Sequence, residues 1–379
     1  MTSKHPVPST MRAWQCKEYC HNTSRAAKEI SLAGSLPVPS PGSYHVLVHV
    51  HFAAVDPMDW NLITGVYKDR FPVKHFPFVP GFDAAGEVVA LGPDCSTFKA
   101  GDKVLMGLGL AESFSETADF GPAGAFAEYC VCPESQMFKL PASVDLSVFA
   151  GLPMSGLTAY QALFTGNGSS TTGQPLGNVG PGSQVLVLGG DRGVGHLAVQ
   201  MAKLRGATVV ATASPNKLAW VEAIGAAQTI NYKQEAWTQQ LVSEGKEGSF
   251  DLLLDLVGWA TSCEEVVRAT KFLCPQGQYI SVANNAEALE AVEAADTQAS
   301  CACKSMLATC NSEDLDQLVQ WVAEGNLKVY VDRTYPFSEA RHALHHSILS
   351  QSSGKVLLCQ CSASSGHWHA TTLGASGGA

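Results

Sequence analysis

A glycine-rich turn carries the clearest chemical signal in the sequence. Residues 188–195 read LGGDRGVG, and they stand between the apolar run QVLVL at 184–188 and a segment with helical spacing. A turn that opens a helix in this way presents free backbone N–H groups to a phosphate, so the pattern predicts a dinucleotide site. The turn residues that we expect to contact the cofactor are Gly190, Arg192, Gly193, Val194 and Gly195.

One residue of this turn departs from the usual G-x-G-x-x-G pattern. The middle glycine of that pattern lets the backbone approach the pyrophosphate, and Arg192 occupies its position here. The guanidinium could pair with a phosphate instead, or the side chain could weaken cofactor binding. Both interpretations stay open at this point.

The second predicted strand, TVVATAS at 208–214, ends without the acidic residue that usually holds a free ribose 2′-hydroxyl. Ser214 and Lys217 can instead hydrogen-bond and neutralise a 2′-phosphate, and Tyr232 is a further contact near the adenosine. We therefore predict NADPH as the cofactor rather than NADH. In the alternative interpretation, Ser214 caps the next helix and Lys217 faces solvent.

Composition limits the classes of protein that remain. The 379 residues predict two domains, and the net charge of −10 argues against nucleic acid as a partner. No apolar run reaches the roughly 20 residues of a membrane span. The 12 cysteines are scattered through apolar segments, which indicates buried thiols in a reducing compartment. A cytoplasmic location is expected, with a short organellar transit peptide as the alternative.

The elements around the turn change character along the chain. Short apolar or alternating runs within the first 150 residues, such as HVLVHVHFAAV at 45–55, predict a β-rich domain. From residue 184 onward, strands alternate with helical segments, which predicts βαβ units on a parallel sheet. The segment 354–361 reads as a strand that could return to the first domain. We expect loops at 113–124 and 165–183 and a disordered tail after residue 361.

A metal centre is not predicted. A catalytic zinc needs three Cys, His or carboxylate ligands and an open position. The Cys-rich segment at 301–310 and the Cys/His segment at 359–369 are too loosely spaced to match. Phe82 cannot ligate a metal, and Asp83 alone does not make a site.

Several segments of this sequence, taken together, resemble one known family. The segments are AAVDPMDW (53–60), FPFVPGFDAAGEVVALG (76–92), FKAGDKV (98–104), GAFAEY (124–129), LPMSGLTAYQAL (152–163), LVLGGDRGVGHLAVQMAK (186–203), DLLLDLVG (251–258) and VDRTYPFSEARHAL (331–344). They resemble the medium-chain dehydrogenase/reductase superfamily, and within it the zinc-free quinone oxidoreductase branch that includes zeta-crystallin. Asp56-Pro57 stands where the zinc enzymes would supply a Cys ligand.

The resemblance implies a fold and the place of further site residues. A GroES-like β-barrel catalytic domain would comprise residues 1–157 and 326–379, and a Rossmann NADPH-binding domain at 158–325 would be inserted into it. Thr158 would lie toward the nicotinamide. Val257 and Val282 would contribute further cofactor contacts, since the segment after 281 would run past the nicotinamide. A homodimer is the family expectation.

The absence of a zinc ligand set bears on the chemistry. Without a Lewis acid the alkoxide of alcohol oxidation lacks its stabiliser, whereas hydride addition to a quinone or an α,β-unsaturated carbonyl needs only hydrogen bonds and a proton. We therefore predict an NADPH-dependent reductase of a small-molecule quinone or enone. The resemblance suggests Tyr67 as the acid, and the alternative is an aromatic pocket wall. Asp59 and Trp60 are expected on the substrate side, unless Asp59 caps a short helix.

Two other functions stay open. An enoyl-thioester reductase would need basic residues at the mouth of an acyl channel, and Lys68, Arg70 and Lys74 could supply them. The second is an NADPH-binding protein without useful catalysis, which Arg192 in the phosphate turn keeps possible. The pocket residues do not identify the acceptor, because they come from separate apolar segments.

Overall fold

A computed structural model describes residues 6–69, 72–108, 124–166, 176–234, 237–257, 262–282, 290–292, 294, 302–349 and 352–360. The chain divides into two compact units, the first with residues 1–154, 310–320 and 329–379 and the second with 155–309 and 321–328. The predicted domain boundaries, 157/158 and 325/326, lie three residues from the unit boundaries 154/155 and 328/329, but residues 310–320, which were predicted in the second domain, fall in the first unit. The domain boundaries stay predictions. Of the loop expected at 113–124, only residue 124 is described, whereas the loop expected at 165–183 is described at residues 165–166 and 176–183. The tail after 361 lies wholly outside the described residues.

Regular elements are named here in chain order. The strands are β1 (Thr10–Cys16), β2 (Ile30–Pro37), β3 (His45–Val55), β4 (Asp83–Leu91), β5 (Lys103–Gly107), β6 (Tyr129–Pro133), β7 (Met137–Lys139), β8 (Gln184–Leu188), β9 (Thr208–Ala213), β10 (Gln228–Asn231), β11 (Phe250–Asp255), β12 (Leu273–Ser281), β13 (Ala302–Ser305), β14 (Val331–Pro336) and β15 (Lys355–Cys359). The α-helices are α1 (Ala26–Glu29), α2 (Pro57–Thr64), α3 (Leu146–Phe149), α4 (Pro153–Tyr160), α5 (Gly193–Leu204), α6 (Leu218–Ile224), α7 (Trp237–Ser243), α8 (Cys263–Thr270), α9 (Ser312–Ala323) and α10 (Ala340–Ile348). Across the described ranges, none of these helices combines the length and the apolar character needed to cross a membrane.

The first unit is built on a seven-stranded sheet in the order β14-β15-β3-β4-β5-β7, with β6 also paired to β3. Strand β15 lies antiparallel to β3, with Leu357 opposite Ala54. The predicted return of the last strand to the first domain is therefore confirmed. Phe82, only 2% exposed, and Trp60, 5% exposed, belong to the apolar core of this unit.

A buried ion cluster fastens β15 to the rest of the first unit. The Lys355 side chain is 1% exposed, and its ammonium makes a short contact with Asp56 Oδ1 and lies 3.8 Å from Asp83 Oδ2. The carboxylate of Asp83 also accepts the backbone N–H of Met154, whose nitrogen lies 2.9 and 3.0 Å from the two oxygens. Because an unpaired buried charge costs several kcal/mol, these contacts hold the start of β15 against the starts of α2 and β4.

The second unit is a parallel sheet in the order β10-β9-β8-β11-β12-β13. The chain leaves the central strand β8 toward β9 and β10, and later continues on the other side with β11. This reversal defines a doubly wound dinucleotide-binding fold, which confirms the predicted Rossmann architecture. Strands β8 and β11 are buried along almost their whole length, as expected for a parallel sheet covered on both faces.

The glycine turn joins β8 to α5 at very close range. Gly189 has a φ of +87°, a left-handed conformation that favours glycine. A Cβ added to Gly195 would lie 2.0 Å from the carbonyl oxygen of Gly189. The first turn of α5 therefore packs directly on the backbone of the glycine turn, and a side chain at position 195 would force them apart.

Replacing Lys355 should destabilise the first unit strongly. Lys355→Met leaves the buried carboxylates of Asp56 and Asp83 without their ammonium, so we expect a loss of about 3–5 kcal/mol in the free energy of unfolding. Urea denaturation measures it. The control is Arg25→Met, since Arg25 is 64% exposed in its ion pair with Glu29, and this change should cost less than about 1 kcal/mol. Equal losses in the two variants would contradict the role given to Lys355.

Gly195→Ala should destabilise the second unit, because the methyl group would meet the Gly189 carbonyl. Overpacking of this kind costs about 3 kcal/mol, which thermal unfolding followed by circular dichroism would detect. Gly180→Ala is the matched control, because a Cβ at Gly180 meets nothing within 4 Å. A Gly195→Ala protein that melts with the wild type would show that α5 and the turn can separate freely.

Candidate functional site

A small cavity of about 80 Å³, open to solvent, lies at the carboxyl ends of neighbouring strands in the second unit. Ligands of open parallel sheets bind at this edge, where the strand order reverses. Of the predicted cofactor contacts, it brings together Arg192, Tyr232 and Val257. The lining residues are Leu188, Gly189, Arg192, Thr212, Tyr232, Trp237, Val257 and Glu265.

The turn above this cavity is tied to the end of β9. The backbone N–H of Gly189 donates to Thr212 Oγ1 at 2.9 Å, and that of Gly190 donates to the carbonyl oxygen of Thr212 at 2.9 Å. Arg192 is the N-cap residue of α5 and makes no side-chain capping bond. Its side chain lines the cavity at the helix N-terminus, where an anion is favoured.

Ser214 and Lys217 meet a residue that the sequence analysis did not consider. The backbone N–H of Ser214 donates to Asp191 Oδ2 at 3.1 Å, and Lys217 Nζ lies 3.6 Å from the same oxygen. Lys217 is only 7% exposed, so the alternative in which it faces solvent is wrong. Ser214 Oγ lies 3.2 Å from the hydroxyl of Tyr232, which lines the cavity.

Asp255 was also missed, although it organises two of the expected contact segments. Its Oδ1 accepts the N–H of Val257 at 3.0 Å, and its backbone oxygen accepts the N–H of Val282 at 3.1 Å. Its Oδ2 accepts the hydroxyl proton of Tyr279, and burial next to this carboxylate raises the pKa of Tyr279 far above its usual value. A carboxylate inside the apolar run FDLLLDLVG was the available signal.

The other predicted cofactor residues lie near this edge or inside the unit. Gly193, Val194 and Gly195 form the first turn of α5, and Val282 directly follows β12. Thr158 is 5% exposed in α4, and it does not line the cavity. The described geometry thus groups the turn, Ser214, Lys217, Tyr232 and Val257, and leaves the nicotinamide contact of Thr158 a prediction.

The substrate residues predicted in the first unit differ in their burial. Asp59 is fully buried and accepts the backbone N–H of Asp56 at 2.7 Å, which is the helix-capping role that was its alternative. Trp60 packs in the core, whereas Tyr67 is half-buried and lies two residues beyond Gly65, where α2 ends. A substrate role for Asp59 and Trp60 stays a prediction, and of the three only Tyr67 presents more than a minor part of its side chain at the surface.

Burial raises the pKa of two carboxyl groups near Lys355. Burial, and next the charge of Asp56, raise the pKa of Asp59 well above its usual value. The same two causes raise the pKa of Asp83, while the ammonium of Lys355 opposes them. Among the residues that the structure describes, no group of three or more His, Cys, Asp or Glu side chains is arranged to hold a metal ion.

Comparison with known protein families gives two matches. The family model for the alcohol dehydrogenase GroES-like domain matches residues 42–142, and the model for a zinc-binding dehydrogenase matches residues 224–358. The first match covers much of the β-rich unit. The second covers the later part of the doubly wound unit and most of the returning segment.

Comparison with individual proteins narrows the family assignment. The chain is 29% identical to the NADPH-dependent alkenal/one oxidoreductase, chloroplastic, of Arabidopsis thaliana, across 94% of this chain and 82% of that protein. The solved quinone oxidoreductase of Coxiella burnetii superposes with a TM-score of 0.77 at 28% identity, over 93% of this chain and 99% of that one.

A third relative has a higher sequence identity to this chain than the two proteins above. The quinone-oxidoreductase QR1, chloroplastic, of Triphysaria versicolor is 32% identical over 329 residues, covering 85% of this chain and 92% of that protein. Together with the doubly wound sheet, the glycine turn and the GroES-like match, this similarity extends over both units. The chain therefore belongs to the medium-chain dehydrogenase/reductase superfamily, in its quinone oxidoreductase branch.

Proposed function

We propose that this protein reduces quinones or α,β-unsaturated carbonyl compounds with NADPH, without a zinc ion. The cavity at the carboxyl edge of the parallel sheet carries the proposal, because its turn and helix N-terminus suit a dinucleotide. The names of the relatives support the reaction: one is a quinone oxidoreductase and another an NADPH-dependent alkenal/one oxidoreductase.

The residues of the second unit fit a nicotinamide dinucleotide. The left-handed Gly189 and the close packing at Gly195 bring the turn directly onto the start of α5, although Arg192 places a side chain at the position where a pyrophosphate would approach. Arg192 would pair with a phosphate, and Ser214 and Lys217 would face a 2′-phosphate. The bound cofactor would supply a hydride, which is one proton with two electrons. The protein would orient it, with Val257 and Val282 held by Asp255.

Independence from zinc is proposed from the engagement of the candidate ligands. Asp56 and Asp83 already hold the buried ammonium of Lys355, and Phe82 is a core residue. A metal at these positions would have to displace a paired cation from the interior, which is costly.

A reduced acceptor also needs a proton. Hydride addition to the β-carbon of an enone leaves an enolate, which must then take a proton. We propose that the Tyr67 hydroxyl donates it, because Tyr67 is half-buried just after the end of α2, whereas Asp59 and Trp60 are buried. A hydroquinone monoanion, by contrast, can take its one proton from water.

The proposed function does not depend on the cellular compartment or on the oligomeric state. A cytoplasmic location and a homodimer stay predictions. Several similar proteins are named as chloroplastic, which supports the organellar alternative.

Turnover assays test the reaction. The purified protein is mixed with a naphthoquinone, a 2-alkenal or a 2-enoyl thioester, and loss of the reduced nicotinamide absorbance is followed with NADPH and with NADH. We expect turnover of the quinone or the alkenal that resists a metal chelator and is faster with NADPH. Preference for the thioester would favour an enoyl-thioester reductase instead. Saturable NADPH binding without turnover of any acceptor would favour a non-catalytic protein.

Tyr67→Phe tests the proton donor. We expect kcat for the alkenal to fall about 100-fold, because general acid catalysis is lost, while turnover of the naphthoquinone changes little. Tyr44→Phe is the control, since Tyr44 is 62% exposed, and it should leave both rates unchanged. An alkenal rate within about threefold of wild type would assign Tyr67 to the pocket wall.

A further inference from the structure

Asp191 carries a feature that the proposed reaction does not use. The side chain is 2% exposed, and its Oδ1 has no hydrogen-bond partner among the described residues. Leaving a buried acceptor unsatisfied costs about 1–3 kcal/mol. The atom belongs to the glycine turn, in the residue between Gly190 and the cavity-lining Arg192.

The other carboxylate oxygen of Asp191, Oδ2, lies beside a backbone donor and a cation. Asp191 Oδ2 accepts the backbone N–H of Ser214 and lies 3.6 Å from the ammonium of Lys217. A backbone N–H at the end of the second strand and a nearby cation are the donors that a 2′-phosphate would need. The carboxylate of Asp191 therefore already contacts Ser214 and Lys217, the two residues that the sequence predicts to hold the 2′-phosphate.

The two cofactors would meet this carboxylate differently. A ribose 2′-hydroxyl is a donor whose dipole the nearby carboxylate charge would favour, as the acidic residue at the end of the second strand does in many dinucleotide sites. A 2′-phosphate is an anion and would be repelled by Asp191 while it is attracted by Lys217. The segment ATASPNK at 211–217 contains no acidic residue, and Asp191 of the glycine turn takes that role instead.

We propose that Asp191 is a specificity-determining residue that weakens the preference for NADPH and allows NADH to bind. The inference rests on the proposed function, because it assumes that the dinucleotide lies at this edge of the sheet. Lys217 favours the 2′-phosphate, Asp191 opposes it, and their balance sets the ratio of the two affinities.

Calorimetric binding of two adenosine fragments tests this without turnover. The full chain is titrated with 5′-AMP and with 2′,5′-ADP, as wild type and as Asp191→Asn. The amide keeps an acceptor for the Ser214 N–H but removes the charge, so the ratio of affinities should shift toward 2′,5′-ADP by about tenfold or more. Weaker binding of 5′-AMP is expected alongside tighter binding of 2′,5′-ADP.

The control is Glu247→Gln, which removes the same charge from an exposed side chain just before β11, at the opposite edge of the sheet. Its affinity ratio should equal that of wild type. Asp191→Ser serves as a second neutral variant, and thermal unfolding shows which variants are folded.

The outcomes separate this inference from the proposed function. An unchanged ratio in the folded Asp191 variants, or an equal loss of both fragments, would overturn the role of Asp191 and leave the cofactor site intact. Wild-type protein that binds neither fragment would contradict the proposed cofactor site, and the inference with it.

Discussion

Both units depend on one physical constraint: an ionised side chain withdrawn from water must find its partner within the chain. In the first unit, Lys355 is buried at the start of the last strand, where its ammonium contacts Asp56 and lies 3.8 Å from Asp83 Oδ2. These partners come from the starts of α2 and β4. The ammonium therefore joins the start of the last strand to two early elements, and this strand lies between β14 and β3 in the sheet.

The second unit applies the same constraint at its ligand-binding edge. Lys217 is buried beside Asp191, and the backbone of Ser214 shares the same carboxylate oxygen. The glycine turn is thus connected to the residues that follow β9 through charge as well as through Thr212. Asp191 thus places a negative charge next to the position proposed for a 2′-phosphate.

The two family matches have to be considered together with these contacts. The chain matches a family described as a zinc-binding dehydrogenase over residues 224–358, yet the positions weighed for zinc are engaged elsewhere. Phe82 fills the core, and the carboxylates of Asp56 and Asp83 hold a lysine. Membership of the superfamily and independence from the metal are therefore separate questions, and these side chains bear on the second.

Local patterns determined much of this protein. The strand–turn–helix at 184–206, the alternation of strands and helices after it and the return of the last strand were all predicted, because periodicity and turn residues are properties of neighbouring positions. The glycine turn likewise indicated a dinucleotide site from its sequence pattern alone. Only the tertiary structure paired Asp191 with Ser214, 23 positions away, and Asp56 with Lys355, 299 positions away. Such pairs have no sequence signature, because the partner of a buried charge is set by the folding of distant segments onto one point.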